Sequence, residues 1–191
     1  MIKCENLPAP TADKKLRKCG FDLAQRRKVY SLPFAVTKEV KLSVFQFKVI
    51  HNILSTNSRL YKMKKINSPT CPFCPDIEQT ISHLFVHCPL AASFWNEFTE
   101  WYRAICKEHN VTHFTESEII YGVLKSSSSL PTLNHLILIG KHFLFNCATN
   151  IKKYQFSDFA ISVREKIELE KYIATRENRL NCFYMKWKDF L

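Results

Sequence analysis

Three cysteines and one histidine occur close together in this chain with the spacing C-x2-C-x8-H-x4-C, and they are Cys71, Cys74, His83 and Cys88. Two thiolates separated by two residues can reach one ion from a tight turn, and the later histidine and cysteine can complete a tetrahedron. Four such ligands leave no open position, which is typical of a structural Zn²⁺ site. The spacing therefore predicts one bound Zn²⁺ in a small CCHC knuckle. The alternative interpretation is a group of ordinary buried cysteines.

The fourth ligand is the least certain member of this set on helical geometry. His83 and His87 are four residues apart and share one helix face, whereas Cys88 is five residues from His83. Pro89 forces its predecessor out of helical geometry, which lets the Cys88 thiol turn towards the metal. We predict Cys88 as the ligand, with His87 as the alternative.

The charge of the chain is divided unevenly along its length. Its formal net charge is +11, from 28 Lys and Arg against 17 Asp and Glu. Residues 1–65 contain 15 basic and 4 acidic residues, whereas residues 66–191 contain 13 of each. The whole excess therefore belongs to the first third of the chain, which favours a polyanionic partner such as RNA or DNA.

Several enzyme classes lack their motifs here. With only 3 glycines, the sequence contains neither of the glycine-rich loops that cradle nucleotide phosphates. Polymerases and most nucleases hold two metal ions with paired carboxylates, and none of the five aspartates is next to another. We therefore expect no catalytic residues and no enzymatic activity.

The sequence also indicates a compartment. The N-terminus has no secretory signal, and the most apolar stretch, residues 133–148, is interrupted by His135, Lys141, His142 and Asn146. We expect an intracellular protein of the nucleus or cytoplasm that does not enter membranes. Lys14–Lys15 and Arg26–Lys28 resemble a bipartite nuclear import signal, and a nucleic-acid-binding helix face is the equal alternative.

The apolar periodicity predicts helices and no strands of useful length, so the expected fold class is all-α, with the zinc knuckle inserted between helices. Residues 31–34 are expected to form a connector because Pro33 disfavours helix before it. The helix expected at residues 37–54 has so wide an apolar arc that it should be mostly buried. One long helix is expected from residue 157 towards 191. The predicted organisation is a basic helical segment at 1–65, the knuckle at 66–90 and a helical C-terminal part at 91–191.

Several runs together resemble the zinc-binding region that follows the polymerase domain in non-LTR (LINE-type) retrotransposon reverse transcriptases. They are PFAVTKE at 33–39, FQFKVIHNIL at 45–54, TNS at 56–58, LY at 60–61, the C-x2-C…H-x4-C knuckle, and FW at 94–95. The resemblance covers about residues 28–145. It implies that Cys71, Cys74, His83 and Cys88 are the metal ligands, and that the chain binds element RNA or target DNA to support target-primed reverse transcription.

The chain lacks the endonuclease and the polymerase palm of the full family protein, so we expect a fragment, a degenerate copy or a separately encoded tail. Two functions follow. The first is a nucleic-acid-binding module whose phosphate contacts are Lys38, Lys41, Lys48, Arg59, Lys62, Lys64 and Lys65. The second is a zinc-stabilised helical module that docks a protein and leaves these charges solvated. The position of the excess charge beside the knuckle favours the first.

Overall fold

A computed structural model describes residues 11–107, 113–124 and 130–191, and most of them are helical. The fold class is all-α, as the sequence predicts. The helices are α1 Thr11–Lys18, α2 Leu23–Val36, α3 Val40–Ile50, α4 Asn57–Lys62, α5 Pro89–Cys106, α6 Glu116–Tyr121, α7 Leu130–Thr149, α8 Phe156–Arg176 and α9 Leu180–Trp187. A 3-10 turn at Lys188–Phe190 ends the chain.

Helix α2 begins with a capping box and contains a proline in its interior. Asp22 and Gln25 form a capping box, in which the Asp22 carboxylate accepts from the Gln25 backbone N–H at 2.8 Å and the Gln25 side-chain oxygen accepts from the Asp22 backbone N–H at 2.9 Å. The connector expected at residues 31–34 is wrong, because α2 continues to Val36 with Pro33 inside it. Val29, Pro33 and Val36 are buried on one face, and this packing outweighs the roughly 3 kcal/mol that a proline costs within a helix.

Helix α3 is shorter and more exposed than its apolar arc predicts. It packs against α2 and α7 with Leu42, Phe45 and Val49 buried. Six of its eleven residues are buried, but Val40 and Phe47 are 73% and 45% exposed, so burial does not extend over the whole apolar arc. Helices α2, α6 and α7 contact α3, and its apolar residues Val40, Val44 and Phe47 are left exposed by the described residues.

The segment between α4 and α5 contains the only strands in the described part of the chain. Strand β1, Thr70–Cys71, pairs antiparallel with β2, Cys74–Glu78, around a two-residue turn. A π-helical turn, His83–His87, follows and leads directly into α5. Strands this short show no detectable alternation of polar and apolar residues, which is why periodicity did not predict them.

The C-terminal helices enclose an aromatic core. Phe94 and Phe98 of α5 and Phe159 of α8 are fully buried, and the Phe94 and Phe159 rings are 5.0 Å apart in an edge-to-face arrangement. The single helix expected after residue 157 is wrong, since the chain turns after α8 with Asn178 at a φ of +55°. One buried apolar cluster runs from α1 and α2 through the knuckle to these helices.

Candidate metal centre and its basic surroundings

The hairpin positions the first two cysteines. Cys71 is the last residue of β1 and Cys74 the first of β2, and the two are directly paired across the Pro72–Phe73 turn. Both are buried, whereas the rest of β2 is exposed. The hairpin therefore directs two thiols inwards from neighbouring positions and leaves little else of the strand in the core.

The π-helical turn removes the geometric objection to Cys88. Its backbone N–H donates to the His83 carbonyl at 2.8 Å, a hydrogen bond between residues five apart that brings them one above the other. Cys88 itself is extended, with φ −65° and ψ 130°, and Pro89 opens α5 at its first turn. The sequence spacing that does not fit an α-helix therefore fits this turn.

The structure brings the four predicted residues together. The Sγ atoms of the three cysteines and a ring nitrogen of His83 all lie within 4.8 Å of one another, and all four residues are buried. The Cys74 and Cys88 Sγ atoms are 3.7 Å apart. Sulfurs on a tetrahedral ion with Zn–S bonds of about 2.3 Å are separated by about 3.8 Å, whereas a disulfide is close to 2.05 Å.

The buried His83 ring gives an independent test of fit. Its Nε2 atom is inaccessible to solvent and has no hydrogen-bond partner among the described residues. A buried nitrogen without a partner is costly, and a metal ion at the centre of the three thiols is the group that would satisfy it. The residues present therefore fit Zn²⁺, and the cluster is suited to hold it.

Burial sets the protonation of the metal-free cluster. It raises the pKa of Cys71, and it raises the pKa of Cys74 to about 12, with a further contribution from the Cys88 thiol beside it. Burial also lowers the pKa of His83. Burial therefore favours the neutral forms of Cys71, Cys74 and His83, and a bound dication supplies the charge that favours thiolates.

His87 lies outside the cluster. Its side chain is 59% exposed, and its Nε2 atom is 3.2 Å from the Glu116 carboxylate at the start of α6. Ser82 donates a hydrogen bond to the same carboxylate. These contacts join the loop before the π-helical turn to α6.

Backbone and side-chain hydrogen bonds connect the knuckle to the helices on either side. The Asn57 side chain of α4 donates to the Thr70 carbonyl at 2.8 Å, and its backbone N–H donates to the Gln79 side chain at 2.9 Å. On the other side, the Trp95 indole of α5 donates to the Phe85 carbonyl at 2.6 Å. The position of α4 therefore depends on the hairpin that carries Cys71 and Cys74.

The seven predicted phosphate contacts lie along α3, α4 and the turns beside them. All are exposed except Arg59, which is half-buried and donates to the Asn52 carbonyl at 3.2 Å. Lys62 is 3.6 Å from the Glu78 carboxylate, so part of its charge is compensated. The remaining five form no ion pair with another described residue. They are Lys38, Lys41, Lys48, Lys64 and Lys65.

The comparison with known families adds one result that bears on this region. Residues 18–95 match the family model for zinc-binding in reverse transcriptase. The match contains the whole Cys3His cluster together with α2, α3 and α4, and it describes a zinc-binding region, not the catalytic domain. No curated protein matches the chain significantly. Residues 18–95 are thus similar to the zinc-binding region associated with reverse transcriptases, and zinc is the cofactor of the Cys3His cluster.

Sequence reasoning missed a partly buried ionic cluster that joins α7, α8 and α9. The Lys186 ammonium of α9 lies 2.8 Å from Glu170 and 2.9 Å from His135 Nδ1, and the Trp187 indole donates to the same carboxylate at 2.7 Å. Burial, with Lys186 beside it, lowers the pKa of His135 well below its usual value. A lysine in a helical pattern predicts a solvated position, so no sequence signal indicated this contact between α7, α8 and α9.

Proposed function

We propose that this chain is a zinc-stabilised, nucleic-acid-binding accessory module that resembles the tail of a non-LTR retrotransposon reverse transcriptase. The observation that carries the proposal is the connection from the metal cluster to the cations. The hairpin bearing two of the proposed ligands holds α4 through Asn57, and α4 carries Arg59 and Lys62. Zinc binding therefore orders part of the basic surface. The segments 1–65, 66–90 and 91–191 are its proposed working parts.

Cys71, Cys74, His83 and Cys88 are the proposed zinc ligands. Native mass spectrometry of the full chain should give one zinc per molecule, which Cys71→Ser and Cys88→Ser should abolish. His87→Ala should retain the metal, and Cys182→Ser, at an exposed cysteine outside the cluster, is the matched control. Zinc retained by Cys88→Ser but lost from His87→Ala would contradict this ligand set.

The second part of the proposal is that exposed cations on α3 and α4 neutralise phosphates. Each neutralised phosphate releases counterions, so log affinity should fall against log salt with a slope of roughly −0.7 to −0.9 per contact. Changing Lys41 and Lys48 together to Ala should weaken binding to RNA and DNA alike and flatten the slope by about one to two units. Lys153 and Lys188, which are also exposed, provide the control double variant in the electrically neutral part of the chain.

A structural docking module without direct nucleic-acid contact is the second candidate function. The exposed apolar residues of α3, Val40, Val44 and Phe47, favour it. In that case the Lys41/Lys48 variant and the Lys153/Lys188 control should bind nucleic acid equally weakly, with equal salt slopes. This candidate would be excluded if the Lys41/Lys48 variant had a flatter salt slope than the wild type while the Lys153/Lys188 control kept the wild-type slope.

The proposed module performs no chemistry itself. Its proposed activity lies in holding RNA or DNA for a polymerase domain. None of the helices in the described ranges is long and apolar enough to cross a membrane, and membranes are not among the proposed partners. The expected assay result is nucleic-acid binding without synthesis or cleavage, and template-dependent incorporation of nucleotides by the purified chain would contradict it.

The proposed compartment is the nucleus or the cytoplasm. Lys14–Lys15 and Arg27–Lys28 are exposed, as an import receptor would require. Arg26 between them is only 12% exposed and pairs with Asp13 at 2.9 Å. If Lys14, Lys15, Arg27 and Lys28 form an import signal, replacing them by Ala should reduce nuclear accumulation of a large fusion protein. Unchanged accumulation would favour the alternative, in which these residues belong to a nucleic-acid-binding surface.

A further inference from the structure

Helix α3 exposes an apolar stripe to solvent. Val40, Val44 and Phe47 are 73%, 45% and 45% exposed, and their spacing of four and three residues aligns them along one side of the helix. Single exposed apolar residues are ordinary, but a contiguous row on a helix that also has a buried face marks an interaction surface. The described residues do not cover this stripe.

Aromatic rings continue the stripe at the end of α3. The Phe47 and His51 ring centroids are 4.1 Å apart with 33° between the ring planes, and His51 is 5.8 Å from Tyr30 of α2 at 35°. Phe47 is the exposed end of this row, whereas Tyr30 and His51 are half-buried. Because its neighbours already hold the Phe47 ring, ordering it on binding costs little conformational entropy.

Positive charge flanks these rings without opposing carboxylates. Lys48 follows Phe47 in the chain, Lys41 lies on the preceding turns, and neither pairs with an acidic side chain of the described residues. Arg59 is anchored beside His51 by its 3.2 Å hydrogen bond to the Asn52 carbonyl. Glu39, the acidic residue at the start of α3, is engaged by Lys166 of α8 at 2.7 Å. Lys48 and Arg59 therefore place positive charge next to the rings.

We infer that this ring face, consisting of Tyr30, Phe47, His51, Lys41, Lys48 and Arg59, binds single-stranded nucleic acid by stacking an unpaired base on Phe47. Lys41, Lys48 and Arg59 would contact the flanking phosphates. The inference rests on the proposed nucleic-acid-binding function and specifies its ligand. Exposed aromatic rings interleaved with cations form the surface on which successive bases stack in single-strand-binding proteins.

The chemistry of the face favours a single strand over the other partners. Bases in a duplex are stacked on each other and present only their edges, so a duplex would leave the Phe47 ring unused. The centres of protein-docking surfaces are poor in lysine, whereas Lys48 is adjacent to the exposed ring. An unpaired base with its phosphates matches both the apolar and the charged part of this face.

Fluorescence anisotropy with three probes on the zinc-loaded full chain tests the inference. The probes are an oligothymidylate of about 12 nucleotides, an abasic strand of the same length and a duplex of the same length. Phe47→Ala should lower affinity for the oligothymidylate about 5- to 150-fold and leave affinity for the abasic strand unchanged. Phe47→Trp should retain wild-type affinity, and Tyr184→Ala, which removes a ring that is 47% exposed on α9, should have no effect.

The outcomes separate the inference from the proposed function. If the wild type binds none of the probes, both fail. If it binds all three probes equally and Phe47→Ala changes nothing, the proposed function stands and the ring face is wrong. Equal loss of all three probes in Phe47→Ala, with an unchanged melting temperature, would also overturn stacking. Loss of self-association with unchanged nucleic-acid affinity would assign the face to protein docking.

Discussion

The knuckle and the C-terminal helices differ in the chemistry of their buried groups. The knuckle, residues 66–90, has a strand whose residues after Cys74 are all exposed, and its buried groups include three thiols and an imidazole. The C-terminal part buries aromatic rings such as Phe94, Phe98 and Phe159 completely. The first region is expected to depend on a metal and the second on apolar packing, so different perturbations should unfold them.

The largest effect should follow removal of the metal. A structural Zn²⁺ contributes about 10–16 kcal/mol of apparent binding free energy, much of which is folding free energy of its loop. Chelation, or Cys71→Ser, should abolish hydrogen-exchange protection at residues 70–88 and weaken it in α4, while α7 and α8 stay protected. Exchange measured by mass spectrometry, with Cys182→Ser as the control, checks this. Equal loss throughout the chain would show that the two regions are not independently stabilised.

The corresponding perturbation of the C-terminal part is a cavity in its aromatic core. Phe159 is fully buried, and its ring lies 5.0 Å from Phe94 and 5.8 Å from Phe98. Truncation of a buried phenylalanine costs about 3–5 kcal/mol, so Phe159→Ala should lower the free energy of unfolding by that amount in denaturant titrations. Tyr172→Ala, at a 59% exposed ring on the same helix, should change it by less than about 0.5 kcal/mol. Zinc content of the folded fraction should stay stoichiometric in both.

A buried lysine sharpens the comparison, because it lies where the two halves meet. Lys141 of α7 is 2% exposed and donates to the Gln46 side chain at 2.6 Å and the Ile120 carbonyl at 3.1 Å, and no carboxylate of the described residues pairs with it. Burial lowers its pKa to about 7 from 10.5. Below pH 7 both folded and unfolded states are protonated, and the folded state bears the full cost of a buried cation.

Between the two pKa values the unfolded chain keeps a proton that the folded chain has lost, so stability should rise with pH. The slope starts at about half of 1.4 kcal/mol per pH unit at pH 7 and approaches that limit above it, so the rise from pH 7 to 9 is about 2 kcal/mol. Lys141→Met should remove this rise, and the Ile120 carbonyl keeps its 2.8 Å bond from Gln46. The measurement is the difference in the free energy of unfolding between the wild type and Lys141→Met, from denaturant titrations across this pH range. A rise that persists in Lys141→Met would assign it to other groups.

Local chemistry and regular spacing were enough to predict some of these features. The cysteine spacing predicted the four residues that come together, and the apolar periodicity predicted the all-α fold class. Pro33 and the exposed face of α3 could not be predicted, because each depends on which neighbouring helix covers it. A periodic pattern identifies an apolar face but does not identify the partner. Because the described residues leave this side of α3 uncovered, the Phe47 ring is exposed and available for the inferred base stacking.

The smallest effect should come from a charge that joins the neutral half to the basic one. Lys166 of α8 pairs with Glu39 at 2.7 Å, both partly buried. Burial is the largest cause that lowers the pKa of His142. Lys41 and Lys166 lower this pKa further, whereas Glu39 raises it, so the three charges act on a common site. Lys166→Ala should release the Glu39 carboxylate beside Lys41 and lower affinity for the oligothymidylate.

For a partly exposed pair of this kind, a loss of about 1.5- to 5-fold is expected, and it should shrink as salt increases. Lys171→Ala, on the same helix without a described ion pair, should have no effect. Adding Glu39→Gln to Lys166→Ala should restore affinity, because the uncompensated negative charge is then absent. Failure of that restoration would show that Lys166 acts through the packing of α8 against α3 and not through the potential of the ring face.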